Sequence, residues 1–386
     1  MSDIEIVSGY DAILALEPVW HDVGARVGGA GAFEQFDLVR QAAESISREG
    51  GEPLVASISR DGLAMTLMPL RRERIIGSRA AVPLAYPLAQ YTNTVGWAIA
   101  PDDMRPLCNA LSKAGLDMLL LRKVRQDSGL HVALAIHGQS QNAAEMALYI
   151  DLNAYKTFAA YEASFSNPTR RNRRQRRQKL EAARGPLSFE VLFGSEATDA
   201  FDTALAWKRD WLATRGISSP VFDGGAWERL LRSTVTSGAA VVTALYAGGA
   251  PTAIEVGFCE RDTYVSYLGA FDPALGAFSP GQEQMLRTIA WAFEQGFSRY
   301  DLLAPADDYK RQWARAETGV AIDDYAMALT HVGRGVAELR RHVRPLARDI
   351  YFRLSPEVRV AGGRYGMPAA AAMAAVCAGA VLAAIE

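Results

Sequence analysis

The sequence predicts an α+β fold of two tandem lobes, each with a central, mostly antiparallel sheet, followed by a helical C-terminal tail. Three observations favour this class. The chain has 386 residues, which is enough for two domains and a tail. Its composition, 49% hydrophobic and 22% charged, is typical of a protein with a large buried core. Both halves repeat one order of elements, from helices into an antiparallel hairpin, then a helix and a strand. We therefore expect lobes at residues 1–150 and 151–330 and a tail at 331–386.

The N-terminal half begins with a weak strand at residues 4–7 and polar helices up to residue 50. Two apolar runs, 53–59 and 63–70, flank Arg60-Asp61-Gly62, and an Asp-Gly pair between apolar runs is typical of a β-hairpin. Acidic residues that follow Pro101 predict a helix over 102–114. The remaining apolar segments predict strands at 118–121, 131–136 and 146–152.

The C-terminal half repeats this order more clearly. Its predicted helices are 155–166, 197–215, 226–237 and 282–295. Its predicted strands are 189–193, 240–247, 252–259, 263–271 and 298–303. The turns Gly248-Gly249 and Glu260-Arg261-Asp262 separate three consecutive strands, so this part is predicted to be an antiparallel meander.

The formal net charge of −2 hides two basic segments. Residues 170–184 contain eight basic residues and one acidic residue, and residues 331–366 contain eight arginines and three acidic residues. The rest of the chain is correspondingly acidic. The near-neutral total therefore does not exclude anionic partners.

The first basic segment, 167–184, is predicted to be a helix that begins without an apolar face, because residues 167–179 include no aliphatic or aromatic side chain. It is either a solvated helix neutralised by the acidic body or a site for the phosphates of a small molecule, an anionic glycan, lipid headgroups or RNA. RNA is the least favoured of these, because no aromatic side chains interleave the arginines for base stacking. The residues expected to bind an anion or the acceptor are Arg170, Arg171, Arg173, Arg174 and Arg177, together with Lys310.

The tail carries an amphipathic pattern. Apolar residues recur at intervals of three or four at Val336, Leu339, Val343, Leu346, Ile350 and Leu354. Arginines lie opposite them at Arg340, Arg341, Arg344 and Arg348. Such a helix lies on an anionic membrane surface or docks on the catalytic lobe, and the pattern leaves both open. Residues 367–385 carry no charge and approach the length of a membrane span, but their high alanine content favours a packed helix over a spanning one.

Other classes of site are not expected. Cys108, Cys259 and Cys377 lie far apart, and no Cys/His cluster has the spacing of metal ligands, so neither a disulfide framework nor a bound metal is predicted. The N-terminus lacks the basic and apolar regions of a secretory signal, which favours the cytoplasm. A tail bound to lipid would place the protein at the inner face of the membrane.

A loop and helix start near residue 280 form a candidate phosphate site. The strand that ends at Phe271 leads through a loop into Ser279-Pro280-Gly281, which opens the helix 282–295. Free backbone N–H groups at such a helix start can hold a pyrophosphate. The alternative is a plain N-cap with proline at the first helical position.

These elements resemble a known family. Three antiparallel strands, a phosphate-type loop, a long helix and a strand resemble the core of the GNAT acyl-CoA N-acyltransferases. Particular segments resemble the CelD-type acyltransferases of cellulose and exopolysaccharide clusters, which are related to the Fem aminoacyltransferases. These segments are residues 170–180, 248–253, 271–273 with 279–281, and 300–302 with 309–310. The Fem kinship keeps tRNA open as a partner.

The resemblance implies acyl-CoA as the donor and no metal. It places the pantetheine between two splayed strands, 264–271 and 299–303, and the pyrophosphate on the turn 279–282. The implied cofactor-binding residues are Tyr267, Leu268, Gly269, Ser279, Gly281 and Gln282. The sequence departs from the general GNAT phosphate loop, because only Gly276 and Gly281 flank this one.

Direct acyl transfer from a thioester needs a base for the acceptor and an acid for the leaving thiolate. Glu255 interrupts the apolar strand 252–259, where burial would raise the carboxyl pKa, or it faces outward from a half-exposed strand. Asp301 is a second candidate for the base, and alternatively caps a loop or pairs with Lys310. Tyr309 lies where the resemblance implies a tyrosine that protonates the thiolate.

The predicted function is an acyl-CoA-dependent acyltransferase that acts on an amine or hydroxyl of an envelope glycan or lipid. Two alternatives remain open. One is long-chain N-acylation of a sphingoid-type lipid amine, and the other is a non-catalytic accessory protein of a polysaccharide synthase.

Overall fold

The computed structural model describes residues 2–141, 145–314 and 318–353. Its strands are β1 Asp3–Ser8, β2 Glu52–Arg60, β3 Leu63–Ile75, β4 Ser78–Pro83, β5 Val95–Gly96, β6 Met118–Arg125, β7 Gln139–Ser140, β8 Glu145–Asp151, β9 Leu187–Phe193, β10 Val241–Ala247, β11 Ala250–Glu260, β12 Thr263–Phe271, β13 Arg299–Asp301 and β14 Gly319–Ala328. Its helices are α1 Tyr10–Leu14, α2 Glu17–Ala25, α3 Phe36–Arg48, α4 Pro101–Lys113, α5 Gly129–His137, α6 Phe158–Ala163, α7 Asn167–Arg184, α8 Thr198–Thr214, α9 Ala226–Thr236, α10 Pro280–Glu294, α11 Asp308–Arg311 and α12 His331–Arg353.

The strands form one continuous sheet in the order β1-β2-β3-β4-β6-β14-β8-β13-β12-β11-β10-β9, with β5 beside β3 and β7 beside β14. Neighbouring strands are antiparallel except for the pairs β4–β6 and β12–β13. The predicted α+β class with a mostly antiparallel sheet is therefore confirmed.

Two strands join the halves of the sheet. β8 pairs antiparallel with β13, with Ile150 opposite Tyr300. β14 crosses back and pairs with β6, with Tyr325 opposite Leu121. The strand order thus interleaves elements of the two predicted lobes at the centre of the sheet, and the lobe boundaries at residues 150 and 330 stay predictions.

The largest apolar core also crosses between the halves. Phe33 of the N-terminal half packs on Phe258 of β11, with ring centroids 5.2 Å apart. Phe258 is 1% exposed, and burial of such a ring is worth several kcal/mol, since truncating it to alanine costs about 3–5 kcal/mol. A second core, beneath α10, contains Ile289 and Tyr300. The candidate site described below lies beside this second core.

The predicted hairpins are confirmed. Asp61 and Gly62 make the turn between β2 and β3, both with positive φ. Gly248 and Gly249 make the turn between β10 and β11. A Cβ on Gly248 would lie 2.1 Å from the carbonyl oxygen of Arg184, so this turn requires glycine for space as well as for its φ of +58°.

Two predicted elements differ from the structure. The strand expected at 131–136 is wrong, because this segment belongs to α5. Ser128 caps α5 by accepting a hydrogen bond from the backbone N–H of His131 at 3.3 Å, and Leu130 and Leu134 lie buried on one face. The helix expected at 155–166 is shorter, over α6 only, because the Ser166 side chain caps the next helix and ends the segment.

The tail helix α12 packs on the sheet over β4, β6 and β14. Val336 and Ala337 are buried there, whereas Leu339 and Leu346 remain 47% and 52% exposed. The apolar stripe predicted for the tail is therefore divided between a docked face and an exposed one. Leu354 and the apolar end 367–385 lie outside the described residues. None of the helices in the described part of the chain has the length and hydropathy of a membrane-spanning segment.

Candidate active site

Glu255 is a buried carboxylate at the centre of β11. Glu255 is 3% exposed, and its Oε1 accepts hydrogen bonds from the hydroxyls of Tyr264 at 2.9 Å and Tyr300 at 2.5 Å. Burial raises the pKa of Glu255 to about 7, against the opposing effect of hydrogen bonds from Tyr300, Tyr264 and Ser266. The structure thus places this predicted base in an environment where it exchanges a proton near neutral pH.

Tyr264 is fixed by the residues around it. A Cβ on Gly257 would come within 2.3 Å of the Tyr264 ring and hydroxyl, so glycine at that position makes room for the ring beside Glu255. The Tyr264 hydroxyl also hydrogen-bonds Thr243, whose own hydroxyl accepts a 2.8 Å bond from Gln284 of α10. This buried polar network connects the carboxylate to the helix that follows the candidate phosphate loop.

The two strands predicted to hold pantetheine diverge. β12 and β13 pair in parallel only from Thr263 opposite Arg299 to Val265 opposite Asp301. Beyond that point β13 ends, while β12 continues to Phe271. The backbone of β12 from Ser266 onward therefore has no paired strand on the β13 side among the described residues, and we refer to this free strand edge as the opening.

Ser266 lies at the point of divergence, and the sequence analysis did not single it out. It directly follows the last residue of β12 that pairs with β13, it is half-buried, and its side chain is near enough to Glu255 and Tyr300 to oppose the rise in the pKa of both. It therefore connects the buried carboxylate with the opening. The signal that could have found it is a lone small polar residue between the apolar residues Val265 and Tyr267 of a cofactor strand.

The other predicted residues of β12 lie around this opening. Gly269 is opposite Glu255 in the β11–β12 register, is exposed, and would have free space around a Cβ. Leu268 is buried in the core. The Tyr267 hydroxyl donates a 3.1 Å hydrogen bond to the carbonyl oxygen of Leu88 and so contacts the N-terminal half.

The start of α10 faces the basic helix α7. Ser279 precedes α10 with a left-handed φ of 52°, and Pro280 and Gly281 occupy its first positions. Gln282 accepts a 3.1 Å hydrogen bond from Nη1 of Arg176. The cleft between the two helices is lined by Arg173, Arg176, Arg177, Leu180, Phe278, Ser279, Gln282 and Glu283. The structure thus brings the predicted phosphate turn and part of the basic segment together.

The arginines of α7 divide into two groups. Arg171 and Arg174 are exposed to solvent, whereas Arg176 and Arg177 are half-buried toward α10. Arg170 contacts Asn167 within its own helix. Arg176 is a cleft residue that the sequence analysis missed, because a uniformly basic helix gives no indication of which side packs.

Arg173 and Leu180 attach α7 to the body of the protein. The guanidinium of Arg173 lies 4.1 Å from the ring centroids of both Phe165 and Trp313, and Leu180 is buried. Burial lowers the pKa of Arg173. The helix is therefore anchored by a stacked cation and one leucine rather than by an apolar face.

Asp301 is occupied by partners within the fold. It is 1% exposed, its Oδ1 accepts hydrogen bonds from the Tyr91 hydroxyl at 2.7 Å and from the backbone N–H of Leu303 at 2.8 Å, and its Oδ2 pairs with Arg125. The expected alternative pairing with Lys310 is replaced by this ion pair with Arg125. Asp301 therefore connects β13 to the N-terminal half.

Tyr309 and Lys310 lie in α11, after β13. Tyr309 is 41% exposed as a residue, but its hydroxyl lies 3.3 Å from the sulfur of Met285. Loss of hydration at the hydroxyl, together with the charge of Glu255, raises its pKa and keeps the phenol protonated. Lys310 donates from Nζ to the carbonyl oxygens of Leu303 and Pro305, both at 3.0 Å. It thus holds the loop that leaves the diverging strand.

Comparison with known proteins agrees with this geometry. Residues 167–311 match the family model described as an acetyltransferase (GNAT) domain. This match identifies a GNAT acetyltransferase domain within the chain, so the protein is a transferase. No curated protein matches the chain in sequence.

Three solved structures share the fold of most of the chain. FemX is 12% identical, with 78% of this chain and 93% of that chain covered and a TM-score of 0.51. The C-terminal domain of a protein described as a lysylphosphatidylglycerol synthetase from Agrobacterium fabrum is 17% identical, with 86% and 97% covered and a TM-score of 0.50. L-PGS from Bacillus licheniformis is 11% identical, with 84% and 95% covered and a TM-score of 0.50.

Proposed function

We propose that this enzyme transfers an acyl group from acyl-CoA to an amine or hydroxyl of an envelope glycan or lipid, with Glu255 as the general base. One observation carries the proposal. A buried carboxylate with a pKa of about 7 reaches, through the hydroxyl of Ser266, the point where β12 and β13 diverge. A base of this pKa at an opening that fits an extended chain suits acyl transfer at neutral pH.

The donor would lie along the free edge of β12. Its pantetheine amides would pair with the backbone of residues 266–269, continuing the sheet on the side that β13 leaves. Its pyrophosphate would meet the first N–H groups of α10 at Gly281 and Gln282, where the helix start favours negative charge. Arg176 and Arg177 of the facing helix would supply the charge that the unusual phosphate loop lacks.

The chemical step is a direct attack. The acceptor nitrogen or oxygen bonds to the thioester carbonyl carbon, and the carbon–sulfur bond then breaks. The proton of the acceptor passes to Glu255 through Ser266. The leaving thiolate takes a proton from the Tyr309 hydroxyl, which stays protonated until the thiolate forms because its pKa is raised. The protein forms no covalent intermediate in this scheme.

The acceptor class is supported by two lines of resemblance. The CelD-type segments of the sequence favour a glycan, and the fold shared with FemX and with the domain of a protein described as a lysylphosphatidylglycerol synthetase favours an envelope component. A lipid amine is favoured by the exposed apolar residues Val332, Leu339 and Leu346 on α12, which recur every seventh residue on one side of the helix. Peripheral contact with the inner face of a membrane would bring such an acceptor to the enzyme.

The proposal is tested by incubating the protein with acetyl-CoA and palmitoyl-CoA and an envelope extract, followed by mass spectrometry of the products. Thermal shift with each acyl-CoA accompanies the assay. We expect stabilisation by at least one acyl-CoA and one acylated product that the Glu255→Gln variant does not form. If neither acyl-CoA stabilises the protein and no acylated product appears, the proposed function is wrong, and a non-catalytic role becomes the better interpretation.

A further inference from the structure

A second group of cations lies away from the donor cleft, where α12 packs on β6 and β14. Arg122 of β6 and Arg340 and Arg344 of α12 surround one carboxylate, Asp324 of β14. Asp324 is 2% exposed, and its oxygens are already occupied. Oδ2 accepts from Nε of Arg122 at 3.3 Å and from Arg344, and Oδ1 accepts from the backbone N–H of Lys123 at 2.9 Å.

Arg340 feels the charge of this carboxylate, but its Nε and Nη2 donate no hydrogen bond to it. Its Nε and Nη2 atoms are buried, and neither has a hydrogen-bond partner among the described residues. Burial and the charges of Arg122 and Arg344 lower the pKa of Arg340 to about 10. Burying two donors of a charged group without hydrogen-bond partners costs free energy, so these donors do not stabilise the fold. Buried cationic donors without partners in the fold are suited to binding an anion.

The geometry of the group favours a tetrahedral oxyanion. The charges of Arg122 and Arg344 each act on Arg340 more strongly than the charge of Asp324, so positive charge is in excess around Arg340. The ring of Tyr86 holds Arg122 in place, with the guanidinium 4.1 Å from the ring centroid. Nε and an Nη atom of one arginine form a planar fork that matches two oxygens of a phosphate. The side chains of Arg122 and Arg344 retain 20% and 31% exposure, so the group is open to solvent on one side.

A short path of contacts connects this group with the donor strand. Lys123 donates from Nζ to Oε1 of Gln90 at 2.6 Å, and the side chain of Gln90 hydrogen-bonds the hydroxyl of Tyr267 in β12. The positive charge of Lys123 also helps to lower the pKa of Lys310, which is next to Tyr309 in the sequence. The cations therefore lie on the side of β12 that faces the N-terminal half, whereas the α7–α10 cleft lies in the C-terminal half.

We propose that Arg122, Arg340 and Arg344 form a phosphate-binding site that holds a phosphate ester on the acceptor. The assignment of the ligand to the acceptor rests on the proposed function, but phosphate binding itself does not. The phosphate belongs either to a lipid headgroup or to a soluble phosphate ester such as a sugar phosphate. Both present the same group to Arg340, and the experiment separates them.

The test compares Arg340→Ala with Arg334→Ala, an exposed arginine of the same helix. Binding of inorganic phosphate and glycerol 3-phosphate is measured by calorimetry at fixed ionic strength. Flotation with phosphatidylcholine vesicles, with and without phosphatidic acid, is measured in parallel. We expect the Arg340→Ala change to weaken phosphate binding at least about tenfold and the Arg334→Ala change to leave it unchanged. Arg340→Lys, which keeps the charge but loses the fork, should fall between them.

The outcomes are distinct. Arg340-dependent binding of the soluble phosphates identifies a soluble ester as the source, and Arg340-dependent flotation only with phosphatidic acid identifies a lipid headgroup. Equal binding by the parent protein and the Arg340→Ala variant in every assay overturns the proposal. We expect the Arg340→Ala variant to stay folded, because it removes one of three mutually repelling cations. Its melting temperature should not be lower than that of Arg334→Ala.

The donor cleft serves as an internal control. A double change of Arg176 and Arg177 to alanine should weaken CoA binding and leave Arg340-dependent phosphate binding intact. If the protein binds phosphate through Arg340 but transfers no acyl group, the proposed phosphate site is supported and the proposed function is wrong.

Discussion

Tyr300 donates a 2.5 Å hydrogen bond to Glu255, although the two residues are 45 positions apart and lie on strands that are not neighbours. β12 lies between them, and its Tyr264 bonds the same carboxylate oxygen. A carboxylate that is buried beneath two phenols is stabilised in either protonation state, since the phenols solvate the anion while burial favours the acid. This balance is why the site can accept and release a proton near pH 7.

Replacing Glu255 by glutamine should lower kcat about 10²- to 10⁴-fold, because the amide cannot accept the acceptor's proton. Affinity for acyl-CoA should remain, since Glu255 does not lie in the phosphate cleft. The measurement is steady-state turnover together with acyl-CoA binding. Glu294→Gln, at an exposed position at the end of α10, is the matched control. Turnover by Glu255→Gln at the rate of the control would remove Glu255 as the base.

The raised pKa of Glu255 also predicts a stability difference that depends on pH. Its folded-state pKa of about 7 lies above the ordinary value of 4.5, so its stabilising contribution is complete below about pH 4.5 and is lost as the pH rises through 7. Between these limits the parent protein should lose about 3 kcal/mol relative to Glu255→Gln. Denaturant unfolding of both proteins across this range measures the difference.

Glu34 provides the comparison for this experiment. Burial and the nearby charge of Glu260 raise its pKa to about 8. Glu34→Gln should therefore remove a pH dependence that extends to higher pH than that of Glu255. A difference between parent and Glu255→Gln that stays constant from pH 5 to about pH 9 would show that the pKa of Glu255 is not raised in the folded protein.

Tyr309→Phe should lower kcat about 10- to 100-fold by removing the acid for the thiolate, while acyl-CoA binding and melting temperature stay close to those of the parent protein. The lost contact with the Met285 sulfur is weak, so little stability depends on it. Ser266→Ala should also lower kcat, because it breaks the connection between Glu255 and the opening. A full turnover rate in both variants would contradict the assigned path of protons.

Two pairs of α7 arginines should behave differently. Changing Arg176 and Arg177 to alanine should weaken CoA binding at least about tenfold, because these side chains face the start of α10. Changing Arg171 and Arg174, which are exposed, should have little effect on CoA and serves as the matched control. The measurement is CoA binding at two salt concentrations. If the exposed pair weakens CoA binding more than the cleft pair, the donor does not lie in this cleft.

Asp301→Ala should destabilise the protein by about 3 kcal/mol or more, because it removes the more buried of the two carboxylates that pair with Arg125 and leaves the buried donors of Tyr91 and Leu303 without their acceptor. The control is Asp127→Asn, at a half-exposed partner of the same arginine, for which we expect a loss of about 1 kcal/mol or less. Equilibrium unfolding measures both. Parent-like stability with abolished turnover in an Asp301→Asn variant would instead support Asp301 as a catalytic base.

The amino-acid sequence by itself determined the elements whose signals are local. The Asp-Gly and Gly-Gly turns, the three strands from β10 to β12 and the helix after Pro280 depend on turn chemistry and short-range periodicity, and the structure confirms them. Glu255 was detectable for the same reason, since a single carboxylate in an apolar strand is conspicuous. Residues 131–136 were assigned wrongly because a short, continuous apolar run fits a buried helix as well as a strand. The cap at Ser128 was the local signal that would have decided between them.

The tertiary structure alone decided which distant residues meet. Tyr264, Tyr300 and Ser266 converge on Glu255 only because β12 lies between β11 and β13, and no local pattern carries that strand order. Arg176 faces α10 while Arg171 faces solvent, because packing around Leu180 and Arg173 sets the rotation of a helix whose sequence is basic on every side. The ion pair of Asp301 with Arg125 and the cations around Asp324 likewise depend on β14 and β8 crossing between the halves. Side-chain contacts over such separations follow from the burial of the whole sheet, which is a property of the folded chain and not of any segment.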